Sequence, residues 1–158
     1  MSEIIGSTIQ DNEVQRAATS RIGEFGEKAA EKFLKKQGYR IVVSNFKIPV
    51  GRNRKGVSVT GEIDLIAFDD DALCFIEVKT RSSEDFASAL SAVDIRKQRQ
   101  ITRTARVYRK TFDIRDVSFR FDVVTVILRG VKSPKIEITK GFWSEAKFRK
   151  KAWTGDYF

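Results

Sequence analysis

The segment GEIDLIAFDDDALCFIEVKT, residues 61 to 80, constrains this chain more than any other. Two apolar runs of strand length flank consecutive Asp residues at 69 to 71, which predicts an antiparallel hairpin. Side chains alternate along a strand, so Glu62, Asp64, Ile66 and Phe68 are expected on one face, with Ile63, Leu65 and Ala67 on the other. In the partner strand, Leu73, Phe75, Glu77 and Lys79 are expected to lie opposite Cys74, Ile76 and Val78. Both strands are apolar on both faces, a pattern that suits the middle of a sheet covered on two sides. The charges at 62, 64, 77 and 79 are therefore anomalous.

A turn centred on Asp70 and Asp71 makes cross-strand partners sum to 141, setting Asp64 opposite Glu77 and Glu62 opposite Lys79. Facing like charges destabilise a hairpin by several tenths of a kcal/mol up to about one. A divalent cation would neutralise them. Oxygen ligands from Asp64 and Glu77, a backbone carbonyl such as that of Val78, and waters suit Mg²⁺ or Mn²⁺. Lys79 points the same way as Glu77, where an ammonium can orient or deprotonate a water or stabilise charge building on a phosphoryl oxygen. The plainer alternative is a set of solvated hairpin-end charges, with Lys79 paired to Glu62. The apolar neighbours on the same face favour the first reading.

Composition narrows the chemistry further. The chain has 158 residues, enough for one domain, with 30 Lys and Arg against 21 Asp and Glu for a formal charge of +9. That excess favours a polyanionic partner: nucleic acid foremost, although acidic membranes or proteins feel the same field. There is no His and one Cys, Cys74, which rules out an intrachain disulfide, a zinc cage and any His-based triad. Catalysis would fall to carboxylates, Lys, Tyr or hydroxyls. Neither a secretory signal nor an apolar run of roughly 18 residues is visible, so a cytoplasmic protein is expected.

Residues 1 to 20 read as a flexible polar arm, 21 to 142 as the domain, and 143 to 158 as a basic aromatic tail or short helix. Apolar residues at 22, 25, 29, 30, 33 and 34 predict a first helix ending at Gly38. RIVVSNF predicts a strand, and the stretch from Gly51 to Gly56, with Arg52, Arg54 and Lys55, a basic loop. A long second helix is expected from about Ser88 to Lys110, followed by strands RFDVVTVIL and KIEIT. The predicted order is α, β, β, β, α, β, β.

An Asp in one strand and Glu-x-Lys in the next, preceded by a helix bearing a Glu, resembles the PD-(D/E)XK nuclease superfamily. GEFGEKAAEKFLKKQGYRIVVSNF, GEIDLIAFDDDALCFIEVKTR, the Lys of IRKQRQI and the strand RFDVV together resemble the YraN-type family, whose core is similar to archaeal Holliday junction resolvases. The resemblance covers roughly residues 21 to 128 and implies a restriction-endonuclease-like αβββαβ core, with a mixed central sheet flanked by helices. It implies that Asp64, Glu77 and Lys79 form the catalytic set, with Glu27 matching the helix Glu and Glu62 a helper.

Glu27 lies about 20° from Leu34 and 60° from Ala30 on the helical wheel, at the edge of the buried stripe, where it either reaches a metal or pairs with a neighbouring Lys. Lys97 interrupts the stripe of Val93, Ile101, Ala105 and Tyr108, and either snorkels outward or aims its charge at the site. Arg81, Arg96, Lys97, Arg99 and Arg103, with Arg52, Arg54 and Lys55, are the candidate contacts to DNA, RNA being open as well. In the tail, Lys147 to Lys151 and Trp153 either stack on bases or pack on the domain. The resemblance also admits a homodimer.

Overall fold

A computed structural model describes residues 2–82, 86–128 and 133–149 of the chain. Helix α1 (Ser2–Lys36) leads into β1 (Arg40–Arg52), β2 (Ser58–Asp69) and β3 (Ala72–Arg81). Then come α2 (Phe86–Ser91), α3 (Ile95–Thr111), β4 (Phe119–Ile127), β5 (Lys135–Trp143) and a 3-10 turn (Glu145–Phe148). The five strands form one sheet in sequence order. Neighbours pair antiparallel except β3 and β4, which run parallel and need the crossover that α3 supplies. The result is the expected mixed α/β sheet flanked by helices, compatible with a restriction-endonuclease-like core.

The hairpin register is the expected one. Leu65 faces Ile76, Ile66 faces Phe75, Ala67 faces Cys74, Phe68 faces Leu73 and Asp69 faces Ala72. Two cores cover β3 as its double-sided apolar pattern requires. Leu73 and Phe75 join Ile101, Ala105 and Tyr108 of α3, while Cys74, Ile76 and Val78 join Ala30 and Leu34 of α1. On the α3 side an aromatic stack anchors the far strands: Phe121 lies on Trp143, centroids 4.8 Å apart, and Trp143 Nε1 donates to Thr102 Oγ1 at 2.9 Å. Trp143 is thus the buried end of β5 rather than the start of a tail, and Lys150 to Phe158 lie outside the described residues.

Four other expectations are corrected. The segment read as an aperiodic arm is helical from Ser2, and its residues 11 to 20 are all exposed. The long second helix is two helices, because Asp94 takes extended backbone and its Oδ1 accepts from Lys97 N at 2.8 Å, capping a fresh start at Ile95. The basic loop is shorter than expected: β1 continues through Gly51 and Arg52, and the rest is a tight turn in which Asn53 Oδ1 accepts from the amides of Lys55 and Val57.

The fourth concerns the faces of β2. Ile63 and Ile66 both join the α3-side core, and Leu65 joins the α1-side core, so alternation breaks at Asp64. Val43 and Phe46 in β1 break it at the same level, around Asn45, whose φ of 55° turns the strand. Asn tolerates this left-handed conformation better than most residues.

Candidate active site

The described part of the β2–β3 ladder ends at the Leu65–Ile76 pair. Beyond it the strands part, and Asp64 Oδ2 accepts from Val78 N at 2.7 Å instead of facing Glu77 across a ladder rung. The expected strand-on-strand opposition of Asp64 and Glu77 is therefore replaced by a fork, with one carboxylate on each prong. Glu77 is 1% exposed. Its Oε1 receives Lys79 Nζ at 2.9 Å and Lys97 Nζ at 3.3 Å, whereas Oε2 is buried without any hydrogen-bond partner.

Each neighbour arrives for a local reason. Lys79 follows Glu77 by two residues in β3 and so shares its side of the strand. Lys97 is delivered by the Asp94 cap, which fixes the first turn of α3 over the sheet and resolves the snorkelling alternative inward. Glu27 is delivered by Gly26, because a Cβ at that position would collide with Thr80 Oγ1 and hold α1 away from β3.

The acids repel one another. Burial and then the Glu77 charge push the Asp64 carboxyl up to about 7, against the pull of the Val78 amide and Lys97. Burial also raises Glu27, with Glu77 adding to the effect and a hydrogen bond from Asn45 opposing it. Asn45 was missed in the sequence reading, although an Asn inside a β-branched run is a signal for left-handed backbone.

Asp64, Glu77, Lys79, Lys97 and Glu27 are thus brought together. Glu62 is not: it is exposed, lies opposite Lys47 of β1 and pairs with Lys47 Nζ at 3.1 Å, leaving Lys79 to Glu77. The second-helix cations also divide. Arg106 and Arg109 converge on Glu145 Oε1 at 2.7 and 2.8 Å, so an acid distant in sequence already engages both. Arg99 sits over the Phe148 ring at 5.6 Å. Arg96 and Arg103 are exposed, as are Arg52, Arg54 and Lys55 at the β1–β2 turn, and Arg81 Nη1 donates to Thr80 O at 3.3 Å. Among the described residues no helix is long and apolar enough to cross a membrane.

Comparison with known proteins agrees with this geometry in extent. The model of "Uncharacterised protein family UPF0102" matches residues 26–126, which begins at Gly26 and takes in every residue of the cluster. A UPF0102 protein of Solibacter usitatus is 42% identical over 119 residues, covering 75% of this chain and 83% of its own. One from Prosthecochloris aestuarii is 39% identical over 130 residues, covering 78% and 94%. Another, from Acetivibrio thermocellus, is 40% identical over 134 residues, covering 85% and 92%. A solved chain described as "Crystal structure of SSO0001" aligns with a TM-score of 0.37 and 15% identity, over 89% of this chain and 64% of that one. The family match runs from α1 through the hairpin and α3 into β4, and the chain belongs to the UPF0102 family.

Proposed function

We propose that this protein is a metal-dependent endonuclease that hydrolyses phosphodiester bonds in DNA, with Asp64 and Glu77 holding Mg²⁺ or Mn²⁺ and Lys79 beside them. The observation that carries this reading is the unpartnered, buried Glu77 Oε2. A buried carboxylate oxygen without a donor is costly, and its neighbour Asp64 is forced up to about 7 by burial and by Glu77, so the pair has an oxygen open to a cation.

The donors fit a hard cation of incomplete protein coordination. Among the described residues no three His, Cys, Asp or Glu side chains converge as a cage. Two carboxylates, the Val78 carbonyl and waters make the set that suits Mg²⁺, which keeps several waters and prefers oxygen. A bound divalent ion would supply Lewis acidity and a lowered pKa for water.

The chain's own groups do the rest. Lys79, held by Glu77 Oε1, presents an ammonium where it can orient the attacking water and offset charge on a phosphoryl oxygen. Lys97 adds a second positive charge from the opposite layer. Glu27 lies within electrostatic reach of Asp64 and serves as an outer acid for the same ion. The net charge of +9 draws the polyanion to the surface.

A noncatalytic nucleic-acid-binding module is the second reading, favoured by one observation: two lysines already neutralise Glu77 Oε1. The two separate cleanly. Purified protein is incubated with linear, single-stranded, flap and four-way DNA, and with RNA, under Mg²⁺, Mn²⁺ or EDTA. Metal-dependent cleavage that vanishes in Asp64→Ala and Lys79→Ala is expected. Binding without cleavage on any substrate establishes the module instead.

A further inference from the structure

Between the β1–β2 arm and α3 lies a cleft of about 220 Å³, lined by Val50, Val59, Gly61, Lys97, Gln100 and Arg103. It adjoins the acidic fork through Lys97, which lines the cleft while its Nζ reaches Glu77 Oε1. At one edge Gly51, at φ 132°, lets the arm backbone approach the Arg103 guanidinium, since a Cβ there would collide with Arg103 Nη2.

The charges of α3 explain what this opening is for. Toward its C-terminus two of the cations, Arg106 and Arg109, are already engaged by Glu145. Arg103, one turn earlier, is exposed and among the described residues makes no ion pair, and it lines the same cleft as Lys97. Of the two cations on the α3 wall, Lys97 is held by Glu77, and the one carboxylate in the lining, Glu62, is taken by Lys47, which leaves the Arg103 charge uncompensated. Apolar Val50 and Val59, with the Gln100 amide, complete a lining suited to a sugar and an anionic ester together.

We propose that this cleft seats the DNA strand next to the bond being cut, with Arg103 binding the phosphate adjoining the scissile one. The proposal rests on the endonuclease reading for the identity of the fork. It goes further in naming a single sugar-phosphate strand, threaded between arm and helix, as what the site accepts. A duplex presents two backbones; a cleft this size admits one.

The test measures binding, so it stands apart from cleavage. Fluorescein-labelled single-stranded DNA is titrated by anisotropy against Arg103→Gln, Arg103→Lys and the remote control Arg115→Gln, all in the Asp64→Asn background without metal, between about 50 and about 200 mM salt. The slope of log affinity against log salt is expected to become shallower by about 0.7 in Arg103→Gln, the increment for one phosphate on a single strand. Arg103→Lys restores it and Arg115→Gln does not change it. Equal slopes for Arg103→Gln and Arg115→Gln, or binding to RNA alone, overturn the assignment. Absence of cleavage by the wild type with this slope change intact would sink the endonuclease reading and leave the strand cleft standing.

Discussion

The sheet holds carboxylates near both ends of the β2–β3 hairpin, and the two ends treat them in opposite ways. On the closed-end side Asp122 of the neighbouring β4 is fully buried, yet its oxygens receive Arg120 Nε at 2.9 and 3.0 Å and Gly141 N at 2.8 Å. The same Arg120 reaches Asp69 Oδ2 at 2.5 Å and Tyr39 OH at 3.1 Å, and Lys140 adds to Asp69 at 2.8 Å. At the open end, by contrast, Glu77 leaves one oxygen unbonded and Asp64 sits beside it. The same β3 strand passes through both. The difference teaches that the fold can satisfy a buried acid when stability is the object. At the fork it leaves one buried carboxylate oxygen without a donor, which is where an external cation would act.

The sharpest way to break this contrast is to spoil the closed end. Asp122→Ala removes the acceptor for Gly141 N and half the charge compensation of Arg120, and a loss of about 3 kcal/mol is expected in chemical denaturation. A loss under about 1 kcal/mol would mean that the closed end is not the stabilising one.

The open end should respond with the opposite sign. The Asp64 carboxyl is raised from 3.8 to about 7 in the folded protein, so the folded state binds more protons than the unfolded one between those values. Stability therefore falls as pH rises from about 4 to about 7. Asp64→Asn removes that penalty while keeping an acceptor for Val78 N. The variant should be more stable than wild type by about 2 kcal/mol at about pH 8, the gain fading toward about pH 4. A destabilised Asp64→Asn at the higher pH would contradict the electrostatic account of the fork.

Mg²⁺ or Mn²⁺ should raise the melting temperature of the wild type at neutral pH by linkage, on the order of 1 kcal/mol or more once well above its dissociation constant. Asp64→Ala should lose that response, whereas Asp122→Asn at the other end should retain it. The smallest effect belongs to Lys140→Met. Lys140 is 52% exposed, so its removal should cost less than about 1 kcal/mol. Lys140 and then Arg120 hold the Asp69 carboxyl at about 2, so this contribution is present above about pH 4 and lost as pH falls toward 2. The variant's deficit should shrink over that acid range, read as melting temperature against pH.

Much of this was legible in the sequence because the signals were local. The Asp run set the turn, the turn set the register, and the register brought Asp64 and Glu77 to one end of the hairpin. Glu27 and Lys97 were legible as charged residues at the edge of, or inside, apolar helical stripes. What escaped depends on contacts distant in sequence. Glu145 neutralises Arg106 and Arg109 from 39 and 36 residues away, beyond the reach of any helical-spacing argument. Glu62 was assigned to Lys79 from the hairpin alone, before β1 placed Lys47 opposite it. The break between α2 and α3 was readable in principle, since Asp94 preceding a helical stripe is a start signal inside what was taken as a continuous run.

The left-handed turn at Asn45 bears on how the protein tolerates change. β1 and β2 shift phase together there, so the stretches on either side behave as two separately indexed tracks. Losing or gaining one residue on the turn side of Asp64 would reverse the inward and outward assignment of Leu65 to Phe68 against β3. The same event beyond Asp64 would disturb only the pairing with β1. Asn45 therefore acts as a phase joint, decoupling insertions in the outer arm from the position of the carboxylate fork, which leaves the arm free to differ in length while the fork stays in place.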